Sequence, residues 1–499
     1  MALVGTEARL VVVEVNVKSG IPRFSIVGLP TRSVREAEQR TNSALEAIGE
    51  QLARVQTVAN LAPGALRKEG THFDLSLALG ILGAHERIDR ARLDGWIVMG
   101  ELALDGAVRP VPGVLAAAIT CRSLGKRGLI CPSANAPEAA LVDGIEIVPV
   151  AGLRQCIAFF KDLWSPGPVE PGEIEVVPQE DVRDVRGHDP AKRALEIAAA
   201  GGHNLMLSGP PGSGKTMLAR RLPGILPPMS MEESLEVTRV YSVAGLLLDR
   251  SGLIRTRPFR TPHHHASIAG LVGGGSGLPR PGEVSLAHHG VLFLDELPLY
   301  HRAVLETLRG PLEDGVIRIA RSAGAIAYPC RFSLIAAMNP CPCGYVEEPR
   351  RRCRCNPHQI DLYRSRLSGP LFDRFDMQMT MARLGKRDLL SGPTGEPSCV
   401  VRERVEAARA MQEERFGSRL KTNASVTHKE LDTLVQLTRS AREMLTEAVD
   451  TLMLTGRGVA RVMRVARTIA DLAGDGEVSE SQVGEALLLR VPDAGLVAA

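Results

Sequence analysis

Apolar positions along the chain fall into two kinds of run, and together they predict an α/β protein. Short continuous runs read as strands buried on both faces: Asn204-Leu-Met-Leu-Ser208, Val291-Leu-Phe-Leu294 and Phe332-Ser-Leu-Ile-Ala-Ala-Met338. Strands of this type belong in a parallel sheet covered by helices. Upstream, strand-like runs at Leu10 to Val17, Ile97 to Met99 and Ile145 to Val150 mix with helical ones at Val34 to Ile48 and Leu75 to Leu82. The first part of the chain is therefore α/β or α+β. Towards the C-terminus the period becomes helical. Val401 to Phe416 reads as a charged helix, and Thr427-His-Lys-Glu430 and Ser479-Glu-Ser-Gln482 fit capping boxes, each opening an apolar-periodic stretch.

Turn-forming stretches separate these blocks. Ser165-Pro-Gly-Pro-Val-Glu-Pro-Gly172, followed by Pro178, predicts a stiff extended linker. A second break runs from Gly385 to Ser398. The expected organisation is a first domain over 1–164, a linker over 165–180, a core over 181–384 and a helical lid over 385–499. A chain of 499 residues is too long for one core, so several domains are expected.

Chemistry enters at the end of the first buried strand. Gly209-Pro210-Pro211-Gly212-Ser213-Gly214-Lys215-Thr216 fits G-x-x-x-x-G-K-[ST], a loop whose glycines leave backbone N–H groups free to wrap phosphate. Lys215 is placed to reach the β- and γ-phosphates of ATP, and the Thr216 hydroxyl to sit on Mg²⁺. The helix expected from Met217 to Leu222 would point its N-terminus at the anion. The second buried strand ends in Asp295-Glu296, where Asp295 would hold the Mg²⁺ shell and Glu296 would orient or deprotonate water. The third delivers Asn339, a sensor for the γ-phosphate. Arg374, on a short loop after Ser368-Gly-Pro-Leu, suits an arginine finger reaching a neighbour's ATP, and Arg457 opens a lid helix that would give sensor 2. The expectation is an ATPase.

Charge and composition narrow the class. Sixty basic and 57 acidic side chains leave +3, too balanced to announce a nucleic-acid partner alone. The N-terminal segment carries charge where a secretory apolar region would lie, and no run of about eighteen apolar residues could span a membrane. Nine cysteines is an odd number, which argues against a disulfide framework and for a reducing, cytoplasmic setting. Cys341-Pro-Cys343 and Cys353-Arg-Cys355 form two C-x-C pairs nine residues apart, able to close a structural Zn²⁺ site or to remain metal-free thiols. His358 lies close enough in sequence to replace one of them.

Basic stretches offer candidate DNA contacts. From Arg250 to Gly290 five arginines face one acid, Glu283, with Arg255, Arg257, Arg260 and Arg280 the named candidates. Over 250–290 this reads as an insert gripping backbone phosphate without reading bases. Gly273-Gly-Gly-Ser-Gly277 would be its flexible tip. A hairpin-like alternation places Arg318 and Arg321 as a second candidate. Aromatic residues make up only 3 % of the chain, so charge is favoured over base stacking. The run His263-His264-His265 invites a metal reading, but three adjacent histidines are expected not to face one ion.

Taken together, Glu69-Gly70…Phe73-Asp74-Leu75, the core motifs, Met338-Asn-Pro-Cys-Pro-Cys-Gly-Tyr345, Ser368-Gly-Pro-Leu371 and Val465-Ala-Arg-Thr-Ile-Ala-Asp-Leu472 resemble the ComM/YifB family, over essentially the whole chain. The resemblance implies an AAA+ P-loop core of the magnesium-chelatase type, an N-terminal Lon-protease-like α+β domain and a C-terminal helical lid. It further implies a homo-hexameric, ATP-driven DNA helicase that promotes branch migration when incoming single strands recombine in natural transformation, in company with recombination proteins.

The first domain departs from the protease pattern. His72 stands where the nucleophile would fall and Leu115 where the lysine base would stand, so no Ser–Lys pair exists and Thr71 has no base in register. Two other functions stay in view. A chelatase-type motor remodelling a protein partner for metal insertion is the nearer, and an ATP-dependent protease the more distant.

Overall fold

A computed structural model describes residues 1–50, 55–175, 178–247, 252–275, 279–321, 324–346, 348, 351–385 and 395–490. The three buried runs form the strands Leu205–Ser208, Val291–Leu294 and Ser333–Met338. They stand in one parallel sheet ordered Phe259–Arg260, Val291–Leu294, Ser333–Met338, Leu205–Ser208, Met377–Thr380. Alternate side chains go to two different cores. Leu205, Leu207, Val291, Phe293, Ile335 and Ala337 face one, and Met206, Leu292, Leu294, Leu334, Ala336 and Met338 face the other. Continuous apolar runs are thus the signature of a sheet covered on both sides.

The first of these cores is shared with the C-terminal helices. Gly456–Ala473 contributes Ala460, Val462, Val465, Ala466, Ile469 and Ala470 to it. Ser398–Phe416, three residues longer at its start than the sequence suggested, lies on helix Asp189–Gly201. There Gln412 Nε2 donates to Ala200 O at 3.0 Å and Arg404 Nε pairs with Glu196 at 2.6 Å. The lid is therefore packed on the sheet. Both capping boxes form, at Thr427 with Glu430 and at Ser479 with Gln482.

The N-terminal region carries a three-stranded mixed sheet (Val12–Lys18, Gln56–Ala62, Arg23–Val27) and a parallel one (Trp96–Val98, Gly128–Pro132, Glu146–Val150). It is joined to the core through helix Met231–Ala244. Gly113 N donates to Ser242 O at 3.1 Å, and the Ser242 hydroxyl bonds the buried Glu138 carboxylate. The linker expected over 165–180 is not a free spacer: Gly172–Glu175 pairs in parallel with Gly252–Ile254. At the protease-like position His72 is buried with Nε2 at 2.9 Å from Met1 O, and Leu115 is fully buried. Thr71 is bonded to the Glu101 carboxylate.

Candidate nucleotide site and arginine cluster

The phosphate loop leaves the strand Leu205–Ser208 through Gly209, where a Cβ would lie 2.4 Å from Met381 O. Gly214, at φ 87°, turns the loop into helix Lys215–Ala219. That helix is shorter than expected. It breaks at Arg220-Arg221 and resumes at Leu222–Ile225, where Pro223 accepts a first-turn position but could not sit in a helix interior.

Four of the expected residues meet here. Thr216 Oγ1 donates to Asp295 Oδ2 at 2.7 Å, and Lys215 Nζ lies 3.2 Å from Asn339 Oδ1. The ammonium also donates to Gly209 O (2.7 Å) and Pro210 O (3.0 Å). Burial lowers its pKa to about 8 against the opposing pull of Asp295 and Glu296. A buried cation with a hydroxyl–carboxylate pair beside it fits the phosphates and Mg²⁺ of a nucleotide. Glu296 adopts a left-handed backbone, φ 51°, which turns its carboxylate off the strand line and leaves it half exposed. His264 Nδ1 stands 3.8 Å from it. That neighbour was hidden in the sequence, because His264 arrives from a separate turn.

The same turn corrects the reading of the histidine run. Ala266 N donates to His263 O at 2.8 Å, and the tight turn folds all three rings to one side, with ring nitrogens within 4.8 Å of one another. His263 Nδ1 accepts from His265 N, so part of this gathering is local turn bonding.

Arg374 and Arg457 lie elsewhere. Asn204, just before the phosphate-loop strand, donates through Nδ2 to Arg374 O at 2.9 Å. Arg374 therefore sits at the edge where the strands begin, roughly 13 Å of strand away from the loop at about 3.3 Å per residue. Around it a cleft of about 820 Å³ opens between the sheet edge and the lid, lined by Arg457, Arg461, Arg464, Asp373 and Glu313. Arg461 is buried and 3.3 Å from Asp373, whereas Arg457 is 74 % exposed and 4.0 Å from it. Arg374 pairs with Glu313, yet its buried Nε has no partner among the described residues. Burial, then Arg309, Arg457 and Arg461, push its pKa down. The cluster carries more positive charge than its own carboxylates answer.

The basic stretch is not a free insert. Phe259–Arg260 is the edge strand of the core sheet, and Gly273–Gly274 pairs with Arg280–Pro281; Arg250 and residues 276–278 lie outside the described residues. Arg257 is withdrawn from the DNA set. It donates to Pro227 O (2.6 Å) and His289 O (2.7 Å) and pairs with Glu233, so its charge is spent internally. Arg260 is likewise held by both Glu283 oxygens, at 2.6 and 2.7 Å. Arg255 and Arg280 remain exposed. The second candidate is a hairpin, Val316–Arg321 with Gly324–Pro329. Ile317 and Ile319 face inward and Arg318 outward, 3.1 Å from Asp314. The side chain of Arg321 lies outside the described residues.

The four cysteines 341, 343, 353 and 355 converge. Their sulfurs lie within 4.8 Å of one another, with Cys341–Cys343 at 3.5 Å, Cys341–Cys353 at 3.8 Å and Cys343–Cys353 at 3.5 Å. His358, on helix Pro357–Arg364, is exposed and outside the group.

Among the described residues no helix is long and apolar enough to cross a membrane. Residues 181–389 match the family described as magnesium chelatase, subunit ChlI; residues 13–135 and 395–490 match its further parts, described as subunit ChlI of Mg-chelatase and the ChlI C-terminal region. Competence protein ComM of Haemophilus influenzae is 42% identical over 97% of this chain and 95% of its own length. Protein YifB of Escherichia coli is 40% identical over 99% of this chain and 97% of its own. An uncharacterised Mycobacterium tuberculosis protein is 42% identical, over 98% and 97% respectively. A magnesium-chelatase 67 kDa subunit of Heliobacterium mobile shares 27% identity over 31% of this chain. The covered parallel sheet, the phosphate loop and the end-to-end identity agree: the chain belongs to the ComM/YifB family of magnesium-chelatase-like AAA+ proteins, whose core implies ATP and Mg²⁺.

Proposed function

We propose that the protein is an ATP-hydrolysing DNA motor that works as a homo-hexameric ring on single-stranded or branched DNA. One observation carries the ring: the phosphate loop and Arg374 lie at opposite ends of one sheet, so no chain can complete its own site. A second copy placed with its Arg374 edge against the first copy's loop would bring Arg374, with Arg457 and Arg461 from the same cleft, to the γ-phosphate. Arg374 Nε, without a partner among the described residues, would then donate to the phosphate of the neighbouring copy. In this reading Lys215 and Asn339 hold the phosphates and Glu296 positions water. Mg²⁺, bound by Thr216 and Asp295, would spread the charge of the leaving phosphates.

DNA as substrate is supported by the 42% identity to a protein named for competence and by the exposed arginines Arg255, Arg280 and Arg318. Branch migration during recombination of incoming strands, alongside recombination proteins, is the activity that fits them. The N-terminal domain, Lon-protease-like but with His72 and Leu115 at the catalytic positions, then serves as a scaffold.

The test is ATP turnover with single-stranded DNA of unrelated sequences across a salt series. Stimulation should be sequence-tolerant and fall steeply with salt. Arg255→Ala, Arg280→Ala and Arg318→Ala combined should lower the log–log salt slope by about 2 to 3, about 0.7 to 0.9 per lost phosphate contact. An intact ring with an unchanged slope would remove these arginines as contacts. If the unmodified protein ignores DNA, a chelatase-type motor acting on a protein partner becomes the better reading.

A further inference from the structure

Among the described residues of the loop between Asn339 and helix Pro357–Arg364 there is no helix or strand, and only Pro340, Cys341 and Gly344 are buried. A charged loop of this kind has too little apolar surface to fix its own shape. It nonetheless touches the nucleotide site at several points. Asn339, at its start, faces Lys215 Nζ at 3.2 Å. Gly344 turns at φ +82° against the phosphate loop, so closely that a Cβ there would lie 2.3 Å from Pro211 Cδ. At the far end, Asn356 caps helix Pro357–Arg364, which folds back on the start: Arg364 Nε donates to Pro340 O at 3.3 Å, and buried Tyr363 hydrogen-bonds the Asn339 backbone.

We infer that Cys341, Cys343, Cys353 and Cys355 bind one Zn²⁺, and that this ion fastens Asn339 and the Gly344 turn against the phosphate loop. The sulfur separations of 3.5 to 3.8 Å among Cys341, Cys343 and Cys353 match one face of a tetrahedron, and Cys355 lies within 4.8 Å of all three. Zn–S bonds of 2.3 Å place sulfurs about 3.8 Å apart, whereas a disulfide needs about 2.05 Å. Four thiolates leave no position for water, so the ion is structural. Its place is mechanical: Cys341 follows Asn339 by two residues and Cys355 adjoins the cap Asn356, so one ion ties both ends of the loop.

The positioning half rests on the ATP-site reading, and the metal half does not. Elemental analysis of the full chain, purified under reducing conditions, should give one zinc per chain. Cys353→Ser should reduce it at least tenfold, while Cys353→His, which keeps a ligand, should retain it. No metal, or iron in its place, overturns the zinc assignment. Binding of a fluorescent ATP analogue, read without turnover, tests the second half. Cys353→Ser should bind about tenfold more weakly and Cys353→His near normally. Gly344→Ala should keep its zinc and still lose affinity, because its Cβ meets Pro211; this variant reports even if Cys353→Ser fails to fold. A folded, zinc-free Cys353→Ser chain with unchanged affinity overturns the positioning role. Unmodified protein that binds no analogue overturns the ATP-site reading and this role with it, leaving the zinc count standing.

Discussion

Lys215 shows how much of the chemistry one side chain settles. Its buried ammonium, at about 8, sheds its proton above that pH in the empty site. Bound phosphate favours the charged form and raises the pKa, so ATP binding takes up a proton there. Affinity should therefore be flat below pH 8 and about tenfold weaker at pH 9 than at pH 7. A change below twofold, measured by calorimetry, would mean that Lys215 keeps its proton. The role proposed for Glu296 is a separate step. Glu296→Gln preserves shape and the Lys215 contacts, so ATP should still bind while turnover falls at least about 100-fold. Normal single-turnover rates would show that Glu296 does not handle water. Both residues were legible from the motifs alone. His264 was not, because its approach to Glu296 depends on a turn some thirty residues away.

Between elements, helix Met231–Ala244 meets the turn before Val291 through a buried polar contact. Glu236 accepts from His288 Nε2 at 3.0 Å and lies 2.8 Å from His289 Nε2, while His288 Nδ1 accepts from Arg331 N. Burial lowers the His288 pKa to about 4, against the opposing pull of Glu236. The unfolded chain, near 6.5, binds the proton first, so stability rises with pH through this window and is lost as pH falls from 6.5 towards 4. Unfolding should cost about 2 kcal/mol less at pH 5 than at pH 7, read by urea titration. In His288→Gln that slope should shrink; an unaltered slope would place the acid sensitivity elsewhere. No sequence motif singled out this helix, and the histidines stood only within a basic stretch. Periodicity says which face is buried but not which polar groups meet across it.

For the whole molecule, the proposed ring would divide the site between copies. Arg374→Ala and Lys215→Ala chains should each be inactive alone. Mixed in equal amounts they should recover activity, since about a quarter of interfaces would join an intact loop to an intact finger. Mixtures no better than either parent would place Arg374 within its own subunit's structure. Electrostatics at this scale also reorders the arginines. The count of five against one acid from Arg250 to Gly290 suggested a basic arm, yet Arg257 and Arg260 turn inward to carbonyls and carboxylates. In the lid helix Arg461 is buried and 3.3 Å from Asp373, whereas Arg457 is exposed and 4.0 Å from it.

The sequence by itself determined the parallel sheet, the phosphate loop, the Asp295-Glu296 strand end, the capping boxes and the family. Each is encoded locally, in the period of apolar positions or in a fixed spacing of chemical groups. Only the tertiary structure decided which arginines are free, that Gly172–Glu175 is a paired strand rather than a spacer, and that the lid shares a core with the sheet. It also decided that the four cysteines converge and that the Gly344 turn among them meets Pro211. These depend on partners far apart in the chain. A charge's meaning lies in whether a carboxylate or carbonyl reaches it, and no local pattern records that.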